Sequence, residues 1–266
     1  MASRRPADTT PPARRRQAQA SLPPPVDDPN RTARDLLAGS KLVAEAGFGG
    51  VSGSSGDDLQ PAWAPDGKAV VFAATVNRNQ AAYANVVTRR YRIDAAGGEP
   101  AVLTSGDSSY AKPAFSPDGK SLYAVSSNET GVTYSLDRLV KINWATMGTP
   151  GFVTPGWDRS VEGFALSPDS STVYMSAEDQ GLTRIFSVAA EGGQVRQAVA
   201  QTSGVYTGLT IPPRASGLML IANWESSVNP AEIYSIDPAA GRQGRLTDFN
   251  TARSLEIDWR PVQHFW

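Results

Sequence analysis

Short apolar runs recur along the chain: Val70-Val71-Phe72-Ala73, Leu122-Tyr123-Ala124-Val125, Val173-Tyr174-Met175-Ser176 and Leu218-Met219-Leu220-Ile221. They are weighted toward β-branched and aromatic residues and are bounded by turn signals. That pattern predicts strands buried on both faces rather than amphipathic helices. A second, more polar strand pattern follows each run: Tyr91-Arg92-Ile93-Asp94, Val140-Lys141-Ile142-Asn143-Trp144, Phe186-Ser187-Val188-Ala189 and Tyr234-Ser235-Ile236-Asp237. In three of the four it leads into glycine, at Gly97-Gly98, Gly192-Gly193 and Gly241.

Ahead of each run stands a repeated turn. Gln60-Pro61-Ala62-Trp63-Ala64-Pro65-Asp66-Gly67-Lys68 returns as Lys112-Pro113-Ala114-Phe115-Ser116-Pro117-Asp118-Gly119-Lys120. A weaker copy is Ala165-Leu166-Ser167-Pro168-Asp169-Ser170-Ser171, and a decayed one is Thr210-Ile211-Pro212-Pro213-Arg214-Ala215-Ser216. In Ser116-Pro117-Asp118-Gly119 the proline sets φ near −65°, aspartate tolerates the bridge region and glycine supplies positive φ. The chain therefore reverses into a tight antiparallel hairpin. Ser170 replaces the glycine in the third copy, which predicts a looser turn or one of another type.

Each unit reads as strand, Pro-Asp-Gly turn, buried strand, loop, strand, glycine turn, strand. Asp66, Asp118 and Asp169 are 52 and 51 residues apart, and Pro213 follows Pro168 by 45. Four-stranded units at that period predict an all-β fold, a β-propeller with about four recognisable blades in an incomplete ring. A lone blade cannot bury both faces, so neighbours must stack. A β-sandwich is the rival, but it needs no constant spacing of one turn sequence. The expected organisation is a disordered Pro/Arg-rich tail over 1–30, a loop or partial blade over 31–56, blades over 57–255 and a linker strand over 256–266.

Composition narrows the chemistry. Hydrophobic residues make up 40% and charged residues 19%, with 24 glycines and 20 prolines in 266 residues. The net charge of −1 gives no global attraction to nucleic acid or anionic membranes, and neither is expected as a partner. No apolar stretch is long enough to span a membrane. Without cysteine there is no disulfide, thiolate nucleophile or Cys-ligated zinc, and no compartment, cytoplasmic or periplasmic, is selected. Arg14-Arg15-Arg16 reads as a solvated part of the tail. Ala18-Gln19-Ala20 looks like a signal-peptidase site without the apolar segment that should precede it.

The Pro-Asp-Gly-Lys repeats resemble those of TolB-like propellers and of the propeller domain in prolyl oligopeptidase-family serine peptidases. Asn229-Pro230-Ala231-Glu232-Ile233-Tyr234-Ser235-Ile236-Asp237, then Gly244-Arg245-Leu246-Thr247-Asp248-Phe249-Asn250, looks like the last blade of the peptidases. Ile257-Asp258-Trp259-Arg260-Pro261-Val262-Gln263-His264-Phe265-Trp266 is similar to the linker strand into their hydrolase domain. Asp158-Arg159-Ser160-Val161 and Gly204-Val205-Tyr206-Thr207-Gly208 also fit dipeptidyl-aminopeptidase or acylaminoacyl-peptidase-like members. The resemblance covers about residues 57–266. It implies a propeller that caps the active site and filters short peptides, the peptide itself being handled by a hydrolase domain absent from this chain. A TolB-like interaction module, presenting propeller loops to a protein partner, is the alternative. Family propellers usually have about seven or eight blades, so the chain reads as a fragment, a truncated product or a lone decayed propeller.

The residues themselves point to no catalytic, cofactor or metal site. No Gly-x-Ser-x-Gly elbow is present, and the single histidine, His264, has no serine elbow before it. Gly53-Ser54-Ser55-Gly56 has the wrong spacing and reads as a loop. The acidic pairs Asp57-Asp58 and Glu178-Asp179 are expected in loops as solvated charges. No Glu-Glu pair is present of the kind with which dipeptidyl peptidases anchor a substrate amine. Asp66, Asp118 and Asp169 are turn residues, with no Asp-x-Asp-x-Asp-Gly loop around them. Trp63 shares its repeat position with Phe115 and is expected in the core; Trp144, Trp157 and Trp224 are expected in core or rim packing.

Overall fold

A computed structural model describes residues 33–50, 58–128, 134–212 and 217–263. Sixteen strands among them form four antiparallel four-stranded units in chain order, the last two joined by a parallel pair into one eight-stranded sheet. The first contains β1 (Ala62–Trp63), β2 (Ala69–Ala74), β3 (Arg89–Asp94) and β4 (Ala101–Val102). The second contains β5 (Ser108–Phe115), β6 (Ser121–Asn128), β7 (Arg138–Asn143) and β8 (Gly151–Phe152). The third contains β9 (Gly163–Leu166), β10 (Thr172–Asp179), β11 (Leu182–Ala189) and β12 (Arg196–Gln197). The fourth contains β13 (Val205–Thr210), β14 (Leu220–Ser226), β15 (Asn229–Asp237) and β16 (Arg242–Arg245). Two one-turn helices, α1 (Lys41–Ala44) and α2 (Thr251–Ser254), flank the strands.

The apolar runs become the second strands. Every residue of β2 is buried, and β6 and β10 are buried over most of their length. Their two faces feed different clusters, because side chains alternate along a strand. Tyr123 and Val125 meet Val161, Val173, Met175 and Val188 in the seam between the second and third units. Tyr174 and Ile185 meet Tyr206, Leu220, Ala222 and Ile236 in the seam between the third and fourth. The outer face of the first unit is covered by Leu36, Leu37, Leu42, Phe48 and Leu59. Within 35–50 the only strand-like pairing is the bridge Gly49–Thr75. The fourth unit departs from expectation: its second strand begins at Leu220, and burial alternates along it. Asn223 and Glu225 occupy the face on which no described sheet stacks, so one-sided burial is what their polarity requires.

Neighbouring units are stitched by one recurring bond. The Tyr110 N–H donates to Thr88 O at 2.9 Å, and the Val161 N–H to Asp137 O at 2.8 Å. At the same place in the third and fourth units, Thr183 pairs in parallel with Val205. Serine completes two of these staples: Ser109 Oγ accepts the Thr88 N–H, and Ser160 Oγ accepts the Asp137 N–H.

The repeated turns are built alike. Gly67 N–H donates to Ala64 O, Gly119 N–H to Ser116 O and Ser170 N–H to Ser167 O, all within 2.8–2.9 Å. Gly67 and Gly119 take φ of 67° and 73°. Ser170 takes φ 61°, so the third turn is of the same type and is not looser. The reason lies in the hydrogen bonds around it. Asp169 Oδ1 accepts the Ser167 hydroxyl and the Ser171 N–H, while Ser170 Oγ accepts the Asp118 N–H of the neighbouring turn. These bonds hold a conformation that a non-glycine residue otherwise resists.

Trp63 is also corrected: it is 61% exposed. Phe115 packs edge-on against Trp144, ring centres 4.9 Å apart. Trp144 N–H donates to Lys120 O, and the residue making the equivalent bond in the first unit is Ala95, to Lys68 O. Alanine supplies no ring wall, so Trp63 faces outward. Trp157 and Trp224 pack as expected, edge-on to Phe186 and Tyr234. Residues 258–263 carry no strand. The N-terminal tail with Arg14–Arg16 and Ala18–Ala20, the Gly53–Gly56 loop, Asp57, Pro213–Ser216 and His264–Trp266 lie outside the described residues.

Candidate functional site

First strands of successive units approach one another, β1 to β5 and β9 to β13. Three of these segments carry a left-handed residue at one repeat position: Gln60 (φ 47°), Lys112 (φ 52°) and Gly208 (φ 63°). At Lys112 and Gly208 the strand register shifts as well. A left-handed non-glycine residue costs about 1–2 kcal/mol, so surrounding contacts must hold it. For Lys112 they are visible. Its backbone N–H donates to Gln60 Oε1 of the first unit at 2.6 Å, and its Nζ donates to the Glu162 carbonyl entering the third. One residue therefore ties three units together along their first strands.

Lys112 lies on the wall of two clefts. One, of about 500 Å³, is lined by Lys112, Glu162, Phe164, Ser176, Thr207 and Leu209 among others. The other, of about 390 Å³, includes Gln60, Thr88, Ser109, Lys112 and Asp137. Burial pushes the Glu162 carboxyl up and the nearby Glu178 adds to this, while Lys112 pulls it down. The larger cleft thus offers an ammonium, a carboxylate and two hydroxyls over an apolar floor. That set suits hydrogen bonding to a polar chain. A further cleft of about 570 Å³ lies between the loops at 181–182, 202–205 and 225–228 and residues 261–262.

Glu178 and Asp179 are not loop residues; they end β10. Asp179, with its side chain 18% exposed, accepts from Arg159 Nε and Nη2 at 3.1 and 2.9 Å and pairs with Arg184 Nε at 3.1 Å. The Arg159 guanidinium, held by Asp179 and then by Asp158, has its pKa raised. A doubly paired carboxylate at a strand end is structural, and the solvated-charge expectation fails for it. Asp58 behaves as a turn residue, accepting the Gln60 N–H. Asp66, Asp118 and Asp169 each accept the backbone N–H two residues on. Among the described residues, no group of three or more His, Asp or Glu side chains is arranged to hold a metal, and no helix is long and apolar enough to cross a membrane.

Sequence reasoning missed Lys112 and Glu162 as cleft residues. The available signal was Lys112 standing before Pro113 at the repeat position of Gln60 before Pro61.

No family model matches the chain. It is 26% identical over 191 residues to dipeptidyl-peptidase 5 of Porphyromonas gingivalis, a match covering 71% of this chain and 27% of that protein. Over 87 residues it is 37% identical to dipeptidyl-peptidase 5 of Aspergillus fumigatus, covering 32% of this chain and 12% of the relative. The chain spans about a quarter of the bacterial relative's length. Among solved structures it is similar to an acylaminoacyl peptidase (TM-score 0.54, 19% identity, 77% of this chain and 29% of that one). It is similar also to the β-propeller domain of the trilobed protease from Pyrococcus furiosus (0.52, 15%, 71% and 52%) and to TolB from Acinetobacter baumannii (0.52, 21%, 71% and 43%). These structural likenesses speak to fold, and they identify the stacked sheets as β-propeller sheets. The relatives add that this sheet stack resembles the propeller domain of a prolyl oligopeptidase-type peptidase.

Proposed function

We propose that the chain is the non-catalytic propeller portion of a prolyl oligopeptidase-like serine peptidase, capping an active site and limiting entry to short peptides. The observation that carries this reading is the 191-residue similarity to a dipeptidyl-peptidase, covering 71% of the chain. The larger cleft supports it, because Lys112, Glu162, Ser176 and Thr207 provide hydrogen-bonding groups suited to an extended peptide. In this reading Lys112 matters twice: it fixes three units along their first strands, and it presents a cation to whatever passes there.

The test is expression of the chain together with any coding sequence contiguous with it. Fluorophosphonate labelling and the rate of hydrolysis against peptide length are then measured. Labelling of the longer product, with a sharp fall in rate as peptides lengthen, is expected. The 266-residue chain by itself should not label. Absence of a hydrolase reading frame would remove the proposal.

A second reading is a TolB-like module that presents its loops to a protein partner, favoured by the structural likeness to TolB. It predicts a stable, monodisperse chain that captures a specific protein while labelling with no serine-directed probe.

A further inference from the structure

Arg90 stands where the neighbouring units place leucine and isoleucine. The backbone fixes the equivalence: Leu103 N–H donates to Arg90 O, Val153 N–H to Leu139 O and Ala198 N–H to Ile185 O, at 2.7–2.9 Å. All three side chains are fully buried. Leu139 and Ile185 enter the apolar clusters of the second and third seams. Arg90 instead brings a guanidinium into the first seam, where the apolar cluster is only Tyr110, Ala124 and Val140.

Among the described residues that guanidinium lacks counter-groups. Its central carbon lies 5.1 Å from the centre of the Tyr110 ring, and Nε, Nη1 and Nη2 have no hydrogen-bond partner. Burial lowers its pKa to about 10, which leaves it a cation at neutral pH. A ring face offsets only part of the cost of removing water from a charge. Five donors in a fixed fork match a carboxylate or phosphate far better than they match an aromatic face.

Arg90 itself is not on the wall of a cleft, but its strand neighbour Thr88 is. Thr88 precedes Arg90 by two residues, so on extended chain the two share a face, about 7 Å apart. Thr88 and Ser109 both line the 390 Å³ cleft. Ser109 Oγ accepts the Thr88 N–H at 2.9 Å, which leaves its own proton free to donate. Lys112 and Asp137 also line this cleft, the Lys112 ammonium itself being engaged by the Glu162 carbonyl.

We propose that the seam between the first and second units is an oxyanion site, in which a carboxylate or phosphate group enters from this cleft and pairs with the Arg90 guanidinium beside the hydroxyls of Ser109 and Thr88. The reading does not depend on the peptidase proposal. It accounts for a charge kept at a position where the fold elsewhere uses leucine and isoleucine.

The experiment is thermal unfolding of the full 266-residue chain in sodium phosphate and in sodium acetate, each against sodium chloride at equal ionic strength. Calorimetric titration with both anions runs alongside. A saturable rise in midpoint of about 3–6 °C at ten times the dissociation constant is expected with at least one anion. A response to phosphate alone assigns a phosphate-bearing ligand, and a response to acetate alone a carboxylate. Arg90→Leu restores the residue of Leu139; it should unfold no lower than wild type in chloride and lose at least ten-fold in anion affinity. Arg90→Met serves if the leucine variant does not fold. No anion response in wild type, or an equal response in the variants, overturns the proposal.

Discussion

Glu232 closes the segment that follows β16 by accepting the backbone N–H of Asn250 through Oε1 at 2.7 Å. Its Oε2 takes the Thr247 hydroxyl and the Phe249 N–H, and Asn250 returns Nδ2 to Ala231 O. Led by the Thr247 bond, these donors hold the Glu232 carboxyl below the usual range. The equivalent position in the other three units is Arg89, Arg138 or Arg184, so the glutamate is particular to the fourth. Glu232→Ala should leave the sheets intact and free residues 247–250. Hydrogen exchange should accelerate at the Phe249 and Asn250 amides and not at β14 or β15, with Glu232→Gln intermediate. Unchanged exchange at those two amides would show that the carboxylate does not hold the segment.

The repeated glycines are not equal. A Cβ on Gly119 would lie 2.8 Å from Pro65 Cβ, whereas one on Gly67 would meet nothing within 4 Å. Both residues have left-handed φ, which costs a side chain about 1–2 kcal/mol. Gly67→Ala should therefore destabilise by about 1 kcal/mol. Gly119→Val, adding a β-branched clash between neighbouring turns, should destabilise by about 2–4 kcal/mol. Chemical denaturation midpoints check the order, and equal effects would mean that the two turns do not touch.

Acid should loosen the turns. Hydrogen bonds from Ser167 and then Ser171 lower the Asp169 pKa from 3.8 to about 2, and Ser116 with Lys120 lowers that of Asp118. A carboxyl with a depressed folded pKa contributes stability that is complete above the unfolded value and is lost as pH falls through the folded one. For Asp169 that window runs from 3.8 down to about 2. Asp118→Asn with Asp169→Asn should flatten the decline of stability across it, measured as denaturation midpoint against pH. A decline as steep as wild type would place the acid sensitivity elsewhere.

The seam between the second and third units carries the larger apolar burden. Leu139 is fully buried there with Val161, Val173 and Met175. Leu139→Ala should cost about 2–5 kcal/mol through lost burial and the cavity left behind. Ile233→Ala, at the equivalent but half-buried position of the fourth unit, should cost less than half as much. Similar losses at both sites would mean that the outer face of the fourth unit is covered in solution.

The four-strand unit, its period and its turn were legible because they are local. Proline and glycine fix their own dihedrals, and alternation of side chains fixes which face is buried, so Pro117-Asp118-Gly119 and Leu122–Val125 carry their structure in their own chemistry. Where an outcome turned on residues distant in the chain, sequence reading failed. Whether Trp63 is covered depends on Ala95 standing where Trp144 stands in the next unit. Whether Ser170 can take positive φ depends on an N–H from Asp118, 52 residues away. Asp179 is paired rather than solvated because two arginines reach it from separate segments. Lys112 became a cleft residue only when three units converged on it. Backbone conformation follows from neighbours in the chain, whereas burial and pairing follow from neighbours in space, and those exist only once the strands have paired and the sheets have stacked.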